Sequence, residues 1–344
     1  MKTLSKRKLK QRSDKFLSMR YVEDLAALTS FRLFKLVLIA GIPQYHFFTV
    51  PKRNGGVRSI ENPARKLKKV QRTLNNFLQA VYFFEKTEAA FGFIIRARDE
   101  APRDIVSNAE RHLDTPWLMN MDLTDFFHYV KRDDVFHIFC HPPFNFSEEL
   151  SKILTQLTTY KGRLPMGAPT SPVLSNFATI SMDKDILNFA KAKGWVFTRY
   201  ADDMSFSMNK APKEEEIEAI RQIALKHQFL FNETKLKIYG LSDEKLVTGL
   251  QLGKKVTLSS EFLKEIKEEI HRLQKVMEAR AMAGQPPSKW VEKYIQQVQG
   301  RMAFAEKVLG EYDLIYVELE KAFDRALNPP DKFSSVNWLD FPYH

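Results

Sequence analysis

The chain has 344 residues, 44% of them hydrophobic and 28% charged, a composition typical of a soluble globular protein of about two lobes. Its single cysteine, Cys140, excludes a disulfide framework within the chain and a multi-cysteine zinc site, and no run of about 18 apolar residues predicts a membrane span. An excess of 53 Lys and Arg over 42 Asp and Glu gives a formal charge of +11, which favours a polyanionic partner such as nucleic acid. Without a signal-peptide pattern, we expect a cytoplasmic protein.

The N-terminal region begins with a basic segment, residues 1–12, for which we expect a solvated tail rather than an arm that contacts RNA. Apolar residues then recur at helical spacing over residues 21–39, which predicts two helices. A strand over residues 45–50, a turn at Asn54-Gly55-Gly56 and a strand over residues 57–60 are predicted to form a β-hairpin.

Three cations lie on that hairpin, Lys52, Arg53 and Arg58. Such groups donate charge-assisted hydrogen bonds to phosphate oxygens, so the hairpin could clamp a triphosphate, and a polar sheet edge is the alternative. Pro63 is expected to open a basic helix that faces either a phosphate backbone or water. After Phe91-Gly92-Phe93, a further helix is predicted around Asn108 and His112.

A buried strand is predicted over residues 117–123, with the acid Asp122 near its carboxyl end. A carboxylate at the end of an apolar strand is costly unless it is paired or binds a metal. Ser147 is expected to begin a helix that reaches about residue 160. A loop rich in turn-forming residues then leads to Ser171 and Pro172, which are predicted to open a helix to about residue 193.

Two adjacent acids occupy the turn Tyr200-Ala201-Asp202-Asp203, between the apolar stretches Val196-Phe197-Thr198 and Met204-Ser205-Phe206. This pattern predicts a β-hairpin, and two carboxylates crowded at its bend favour a bound cation. Taken alone, the pair fits an ordinary acidic surface turn equally well.

Downstream, the pattern predicts a helix over residues 213–229 and a hairpin of residues 246–251 with residues 255–258. Two long helices follow over about residues 261–282 and 288–310 without any strand signal. We therefore place a lobe boundary near residue 259.

The predicted order of strands and helices suits a split β-α-β sheet, which would bring Asp122 beside the Asp202 turn. Converging carboxylates suit two divalent ions, one to activate an attacking hydroxyl and one to stabilise the leaving oxygens of an in-line displacement. Oxygen ligands without thiols favour Mg²⁺. The chemistry predicted from this convergence is phosphoryl or nucleotidyl transfer.

Three motifs together resemble the palm of reverse transcriptases and occur in the same order: Asp122-Leu-Thr-Asp125-Phe-Phe127, Leu164-Pro165-Met166-Gly167 and Tyr200-Ala201-Asp202-Asp203. Two shorter motifs resemble the NAxxH and VTG motifs of bacterial retron reverse transcriptases, namely Asn108-Ala109-Glu110-Arg111-His112 and Val247-Thr248-Gly249. The resemblance covers about residues 45–310.

The resemblance implies an α+β fold, a right-hand polymerase with fingers, a ferredoxin-like palm and a helical thumb. Its expected parts are an N-terminal helical extension (1–44), fingers (45–115, with part of 128–170), palm (116–258), helical thumb (259–325) and C-terminal tail (326–344).

It also implies roles for individual residues. Asp122, Asp202 and Asp203 would hold two Mg²⁺ ions, Asp203 in a weaker or indirect role, while a primer hydroxyl attacks the α-phosphate of a deoxynucleotide and pyrophosphate leaves. Lys235 would protonate the pyrophosphate, with plain surface exposure as the alternative. Phe127 would exclude a ribonucleotide 2′-hydroxyl, with core packing as the alternative. Further nucleotide contacts are expected from Lys52 or Arg53, Arg58, Met166 and Gly167, and contacts to RNA and primer from the motifs at Asn108, His112, Val247, Thr248 and Gly249.

One position departs from the family pattern. Met166 stands where the family usually has Gln, and methionine cannot donate the side-chain hydrogen bond that glutamine offers near the nucleotide. Pro165 and Gly167 preserve the backbone geometry, so we expect activity with altered fidelity, nucleotide affinity or nucleotide preference.

The implied function is reverse transcription of part of a cognate structured noncoding RNA. Priming from a guanosine 2′-hydroxyl would give a branched RNA-DNA (msDNA), in an antiphage defence system with a separate effector protein. Another bacterial defence reverse transcriptase with different priming is an alternative. So is a catalytically idle RNA-binding scaffold, against which the acids at all three positions argue.

Overall fold

The computed structural model describes residues 3–51, 55–284 and 286–329. It divides into two compact units, Met1–Asp243 and Glu244–His344. The boundary predicted near residue 259 falls inside the second unit, and the division into fingers, palm and thumb stays a prediction. Lys52, Arg53 and the last residues of the expected tail lie outside the described residues.

The N-terminal segment is helical rather than a solvated tail. It forms α1 (Lys6–Leu17), α2 (Val22–Thr29) and α3 (Leu33–Gly41). Leu9 and Phe16 of α1 are fully buried, and the Phe16 ring contacts the rings of Phe77, Phe144 and Phe146. The prediction of a tail over residues 6–12 is therefore wrong, because two apolar side chains one helical repeat apart provide a buried face.

The predicted hairpin is present as β1 (Tyr45–Pro51) and β2 (Val57–Pro63), which pair antiparallel. The following helix, α4 (Arg65–Glu85), begins two residues later than predicted. Pro63 is the last residue of β2 and lies opposite Tyr45, so it ends a strand rather than opening the helix.

The central sheet brings together strands that are distant in sequence. It contains β3 (Trp117–Asp122), β4 (Val196–Tyr200), β5 (Asp203–Met208) and β6 (Lys237–Tyr239), in the order β4-β5-β3-β6. All the pairings are antiparallel, and the β3-β5 ladder ends with Asp122 opposite Asp203. The predicted approach of Asp122 to the Asp202 turn is thus confirmed.

Helices supply the rest of the first unit. They are α5 (Ile105–Glu110), α6 (Phe126–Tyr129), α7 (Arg132–Cys140), α8 (Glu148–Thr158), α9 (Ser171–Ala178), α10 (Ile180–Ala192) and α11 (Glu214–Lys226), with a short 3-10 helix at Glu233–Lys235. The single helix predicted over residues 171–193 is divided at Thr179, whose hydroxyl donates to the carbonyl oxygen of Ser175 at 3.1 Å. Met119, Met204 and Phe206 of the sheet share one buried core with these helices.

The second unit combines a small sheet with long helices. Its strands are β7 (Leu246–Val247), β8 (Leu250–Leu252) and β9 (Val256–Leu258), and its helices are α12 (Ser260–Met282), α13 (Lys289–Leu309) and α14 (Leu314–Leu327). The predicted strand over residues 246–251 is two short strands joined by a turn, and α14 was not predicted. In the part of the chain that the structure describes, no helix is long and apolar enough to cross a membrane.

Candidate active site

A cavity of about 420 Å³ lies in the first unit, where β2, the end of β3 and the Asp202 turn meet. Six residues predicted from the sequence line it together: Arg58, Asp122, Phe127, Met166, Asp202 and Lys235. Phe93, Asp125, His128 and Asn232 also line it. The predicted acidic, basic and aromatic side chains therefore line the same cavity.

The acids of the site are crowded. The pKa of Asp203 is raised to about 7, first because protein atoms displace water from its carboxyl group and then because the charges of Asp202 and Asp122 repel its own. The pKa of Asp202 is raised by burial and by the charge of Asp122. When the carboxyl groups of this cluster are ionised, a bound cation would relieve their mutual repulsion.

A divalent metal ion fits this donor set, because the ligands are hard carboxylate oxygens whose mutual repulsion a dication would relieve. Among the described residues, no three His, Cys, Asp or Glu side chains are grouped closely enough to hold an ion by themselves. Phosphate and water oxygens would therefore complete its coordination.

Lys235 contacts the acidic cluster directly. Its Nζ lies 2.7 Å from Oδ1 of Asp122, at the end of the 3-10 helix. The Asp122 side chain is largely buried, whereas 55% of the Lys235 side chain is exposed. The ammonium group therefore partly neutralises the cluster while remaining accessible from the cavity.

The turn that carries the two acids is held from behind by Arg199. Ala201 adopts a left-handed conformation with φ of 59°. Nη1 of Arg199 donates to the carbonyl oxygen of Ala201 at 2.9 Å and to Oδ1 of Asn176 at 3.2 Å. On the other side, a Cβ at Gly92 would lie 2.5 Å from the Ala201 nitrogen, so only glycine fits there.

Met166 and Gly167 are fixed through their backbone. The Met166 carbonyl oxygen accepts a hydrogen bond from the Glu61 nitrogen at 2.6 Å, and Oε2 of Glu61 accepts from the Met166 nitrogen at 3.3 Å. Arg163 binds both carboxylate oxygens of Glu61. A Cβ at Gly167, where φ is 120°, would lie 2.8 Å from the side chain of Ile60. The loop is therefore closely attached to β2, and the Met166 side chain is left free to face the cavity.

The two neighbouring phenylalanines differ in their packing. Phe126 is 4% exposed and its ring packs on Phe229 at 6.0 Å. Phe127 is half-buried, lines the cavity and packs against Phe93. Of the two rings, that of Phe127 is therefore the more open to the cavity.

The residues of the NAxxH pattern lie in the interior of the first unit. His112 is fully buried, and its ring nitrogens lie 2.9 Å from Oγ of Ser207 and 2.7 Å from Oγ1 of Thr198. Asn108 is 1% exposed. Neither side chain is exposed for direct contact with RNA, and His112 joins the two strands that carry the acidic turn.

The VTG pattern belongs to the second unit. Val247 is fully buried on β7, and Thr248 and Gly249 form the turn to β8 with φ of 49° and 82°. A two-residue hairpin turn of this hand needs positive φ at both positions, which strains the β-branched threonine.

Several cavity residues, among them Phe93 and His128, were not assigned a function from the sequence. The Phe91-Gly92-Phe93 triplet was a visible signal, whereas nothing in the sequence distinguishes His128. Their positions depend on how the loop of Phe93 and the short helix α6 return to the sheet, which local patterns do not encode.

Known proteins are similar in sequence to this chain over most of its length. A family model described as reverse transcriptase (RNA-dependent DNA polymerase) matches residues 50–304. The retron Ec86 reverse transcriptase of Escherichia coli is 31% identical over 264 residues, which cover 74% of this chain and 78% of that protein. The chain belongs to the reverse transcriptase family and to its bacterial retron type.

Two further relatives agree with this assignment. The retron Mx65 reverse transcriptase of Myxococcus xanthus is 27% identical over 78% of this chain and 62% of its own length. The retron Mx162 reverse transcriptase of the same organism is 33% identical over 48% of this chain and 36% of its own length. The predicted family and the α+β polymerase fold are confirmed, as is the predicted enzyme class, an RNA-directed DNA polymerase whose family uses divalent metal ions.

Proposed function

We propose that this reverse transcriptase copies part of a cognate structured noncoding RNA into DNA, priming from a guanosine 2′-hydroxyl of that RNA to give a branched product. The observation that carries the polymerase site is the cavity that gathers Asp122 and Asp202 with Arg58, Lys235 and Phe127. The retron names of its relatives support the choice of RNA and product.

The lining residues fit the parts of a nucleotide. Arg58 and Lys235 carry positive charge at the cavity wall and would bind the phosphates. Phe127 would lie under the sugar and exclude a 2′-hydroxyl, while Met166 and Gly167 would border the nucleotide. Lys52 and Arg53, which lie outside the described residues, would add further phosphate contacts from the hairpin.

Two Mg²⁺ ions are the proposed cofactor, held by Asp122 and Asp202 with Asp203 in support. When bound, they would supply an activated primer hydroxyl and charge stabilisation for the leaving pyrophosphate. Lys235 would give a proton to the pyrophosphate, a role supported by its accessible ammonium group, which lies 2.7 Å from Asp122.

The remaining parts of the proposal concern partners. Val247, Thr248 and Gly249 would form part of the primer grip, and the helices after residue 259 would hold the duplex as a thumb. Asn108 and His112 would support recognition of the RNA from inside the first unit. We place the protein in the cytoplasm, in antiphage defence with a separate effector protein.

Two alternatives make different products. Another bacterial defence reverse transcriptase would join deoxynucleotides to protein or to a free 3′ end. A catalytically idle RNA-binding scaffold would make no DNA. The covalent link of the first deoxynucleotide therefore separates the three functions.

The decisive experiment purifies the protein with its bound nucleic acid and sequences both RNA and DNA. We expect wild type to carry DNA joined to an RNA 2′-oxygen, and the double variant Asp202→Asn/Asp203→Asn to carry RNA alone. Asp133→Asn, an exposed acid on α7, is the matched control and should carry DNA. Unchanged DNA in the double variant would refute the catalytic site, whereas DNA joined to protein or to a 3′ end would refute the priming chemistry alone.

A further inference from the structure

Phe93 combines strain with a position in the active-site cavity. It adopts a left-handed conformation with φ of 58°, which is a genuine outlier for a bulky residue. Its ring lines the cavity and lies 6.0 Å from the ring of Phe127, with 31° between the ring planes. Strained residues persist where the surrounding structure holds them and are concentrated at functional sites.

The loop around Phe93 is held at its backbone. Nε2 of Gln79 donates to the Phe93 carbonyl oxygen at 2.9 Å, and Oε1 of the same amide accepts from the Ile95 nitrogen at 3.1 Å. The carbonyl oxygen of Gly92 accepts from Nδ2 of Asn176 at 3.0 Å. The Phe93 ring is therefore presented to Phe127 by a backbone that is fixed on both sides.

The Phe127 ring needs such support if it is to discriminate between sugars. A side chain excludes a 2′-hydroxyl only if it cannot swing away from the added oxygen, and a phenylalanine ring can do so by changing to another staggered χ1 rotamer unless its neighbours block that rotamer. Phe126, its other aromatic neighbour, lies 5.6 Å away and is itself fixed in the core. Phe93 is the second aromatic ring in contact with Phe127, and it also lines the cavity.

We propose that Phe93 is a positioning residue for nucleotide specificity, because it holds the Phe127 ring in the position from which that ring excludes the ribonucleotide 2′-hydroxyl. The inference rests on the proposed role of Phe127 in sugar selection. It assigns Phe93 an effect on the choice between deoxynucleotides and ribonucleotides rather than on the rate of chemistry.

The test measures kcat/KM for one dNTP and the matching rNTP with the full-length protein on an annealed primer and RNA template. Phe127→Val should lower the preference for dNTP by about tenfold or more, a difference typical of losing one steric contact in a pocket. Phe93→Ala should lower it about three- to tenfold, the range expected from the loss of an aromatic pair. The dNTP kcat of Phe93→Ala should stay near that of wild type.

Three further variants make the result specific. Phe93→Tyr keeps the ring and should retain the wild-type preference. Phe93→Leu keeps apolar volume without a ring, and it replaces Phe93→Ala in the test if that variant does not fold. The double variant Phe93→Ala/Phe127→Val should lose little more preference than Phe127→Val alone, because both act through one ring. Phe91→Leu is the control in the same loop, since the Phe91 ring packs under Arg103 and does not line the cavity.

The outcomes separate the inference from the function on which it rests. If Phe127→Val changes the preference while Phe93→Ala and Phe93→Leu do not, the role of Phe93 is refuted and that of Phe127 stands. If the two single effects multiply in the double variant, Phe93 acts independently of Phe127 and the inference is equally refuted. If Phe127→Val leaves the preference unchanged, the sugar-selecting role proposed for Phe127 fails first.

Discussion

The guanidinium group of Arg199 forms a bidentate salt bridge with the carboxylate of Asp183, and neither side chain is exposed to solvent. Nε lies 2.7 Å from Oδ1, and Nη2 lies 2.8 Å from Oδ2. Arg199 directly precedes the Tyr200-Ala201-Asp202-Asp203 turn and also binds the Ala201 carbonyl oxygen. Removing water from both charges is costly, so the pair is better explained by the geometry it imposes on the turn than by a gain in stability.

Replacement of Arg199 by methionine should destabilise the protein strongly. The change leaves the Asp183 carboxylate buried without its charged partner, with only the Thr87 hydroxyl still donating to it, so the free energy of unfolding should fall by about 3–5 kcal/mol. Urea denaturation followed by circular dichroism measures this change. The double variant Arg199→Met/Asp183→Leu should recover much of the loss but stay poorly active, because the Ala201 carbonyl oxygen has lost its donor. Full activity in a folded double variant would contradict the role of Arg199 at the turn.

His112 should make stability depend on pH. Burial, with a smaller effect of the Arg111 charge, lowers the pKa of His112 from 6.5 to about 3. Between these values the unfolded chain binds a proton that the folded chain does not, so His112 lowers stability as pH falls, by about 1.4 kcal/mol per pH unit. His112→Gln should flatten the slope of unfolding free energy between pH 4 and 6 by that amount. His271→Gln, at an exposed position on α12, is the control. The prediction fails if the slope of unfolding free energy against pH is the same for wild type, His112→Gln and His271→Gln.

Asp202→Asn should abolish DNA synthesis and slightly stabilise the metal-free protein. The Asp203 carboxyl group, whose pKa is raised to about 7 by loss of water contact and by the neighbouring acids, is destabilising once it ionises. Removal of the Asp202 charge should raise the free energy of unfolding at pH 8 by a few tenths to about 1 kcal/mol, a small effect because Asp203 lies at the exposed start of β5, where solvent still screens part of the repulsion that its carboxyl group feels. The gain should shrink at pH 5, where Asp203 is largely protonated when folded. Thermal unfolding at both pH values, with chelator present, checks the sign, and a loss of stability at pH 8 would oppose it.

Lys235→Gln should separate catalysis from metal affinity. The maximal rate should fall about 100-fold, as expected for the loss of a general acid. The Mg²⁺ concentration that gives half-maximal rate should decrease, because no ammonium group then competes for Asp122. Steady-state rates measured across a Mg²⁺ titration report both effects. Lys237→Gln, an exposed lysine on β6, should change neither, and an unchanged maximal rate in Lys235→Gln would remove this residue from the mechanism.

Met166→Gln should alter nucleotide use without affecting the fold. The contacts that hold residue 166 to Glu61 are made by backbone atoms, so the loop should keep its geometry while a new donor enters the cavity. We expect the KM for dNTP or the misincorporation ratio to change, measured by single-nucleotide extension. Met166→Leu, which adds no donor, should resemble wild type. Identical kinetics and selectivity for Gln and Met would show that the departure at this position has no consequence.

Local patterns in the sequence predicted the elements that carry the acids. The apolar stretches around Asp122 and Asp202 predicted the strands, and two acids at a hairpin turn predicted the candidate metal site. Local patterns did not predict α1, because its many cations concealed the helical spacing of Leu9 and Phe16. They also did not predict the break at Thr179, because it depends on a side-chain hydrogen bond inside a helix. Pro63 was misassigned because proline is suited both to the first turn of a helix and to the end of an edge strand.

The supporting residues of the site were beyond sequence reasoning for a different reason. Arg199 reads as one more surface cation in a basic chain, and only the fold places it in the interior against Asp183. Phe93 and His128 reach the cavity because a loop and the short helix α6, which are distant in sequence, return to the same end of the sheet. Spacing along the chain reports which residues share a strand or a helix face, but it does not report which loops meet.

The pairing of β3 with β5 places Asp122 opposite Asp203 at the last step of the ladder. Because alternate residues of a strand face opposite sides, a slip of one position would turn Asp122 away from the cavity while leaving helix and strand content unchanged. A preparation containing such misaligned molecules would look native by circular dichroism and yet be inert in proportion to their number. The fraction of molecules able to extend a primer is therefore a more sensitive measure of correct folding for this protein than any spectrum of its backbone.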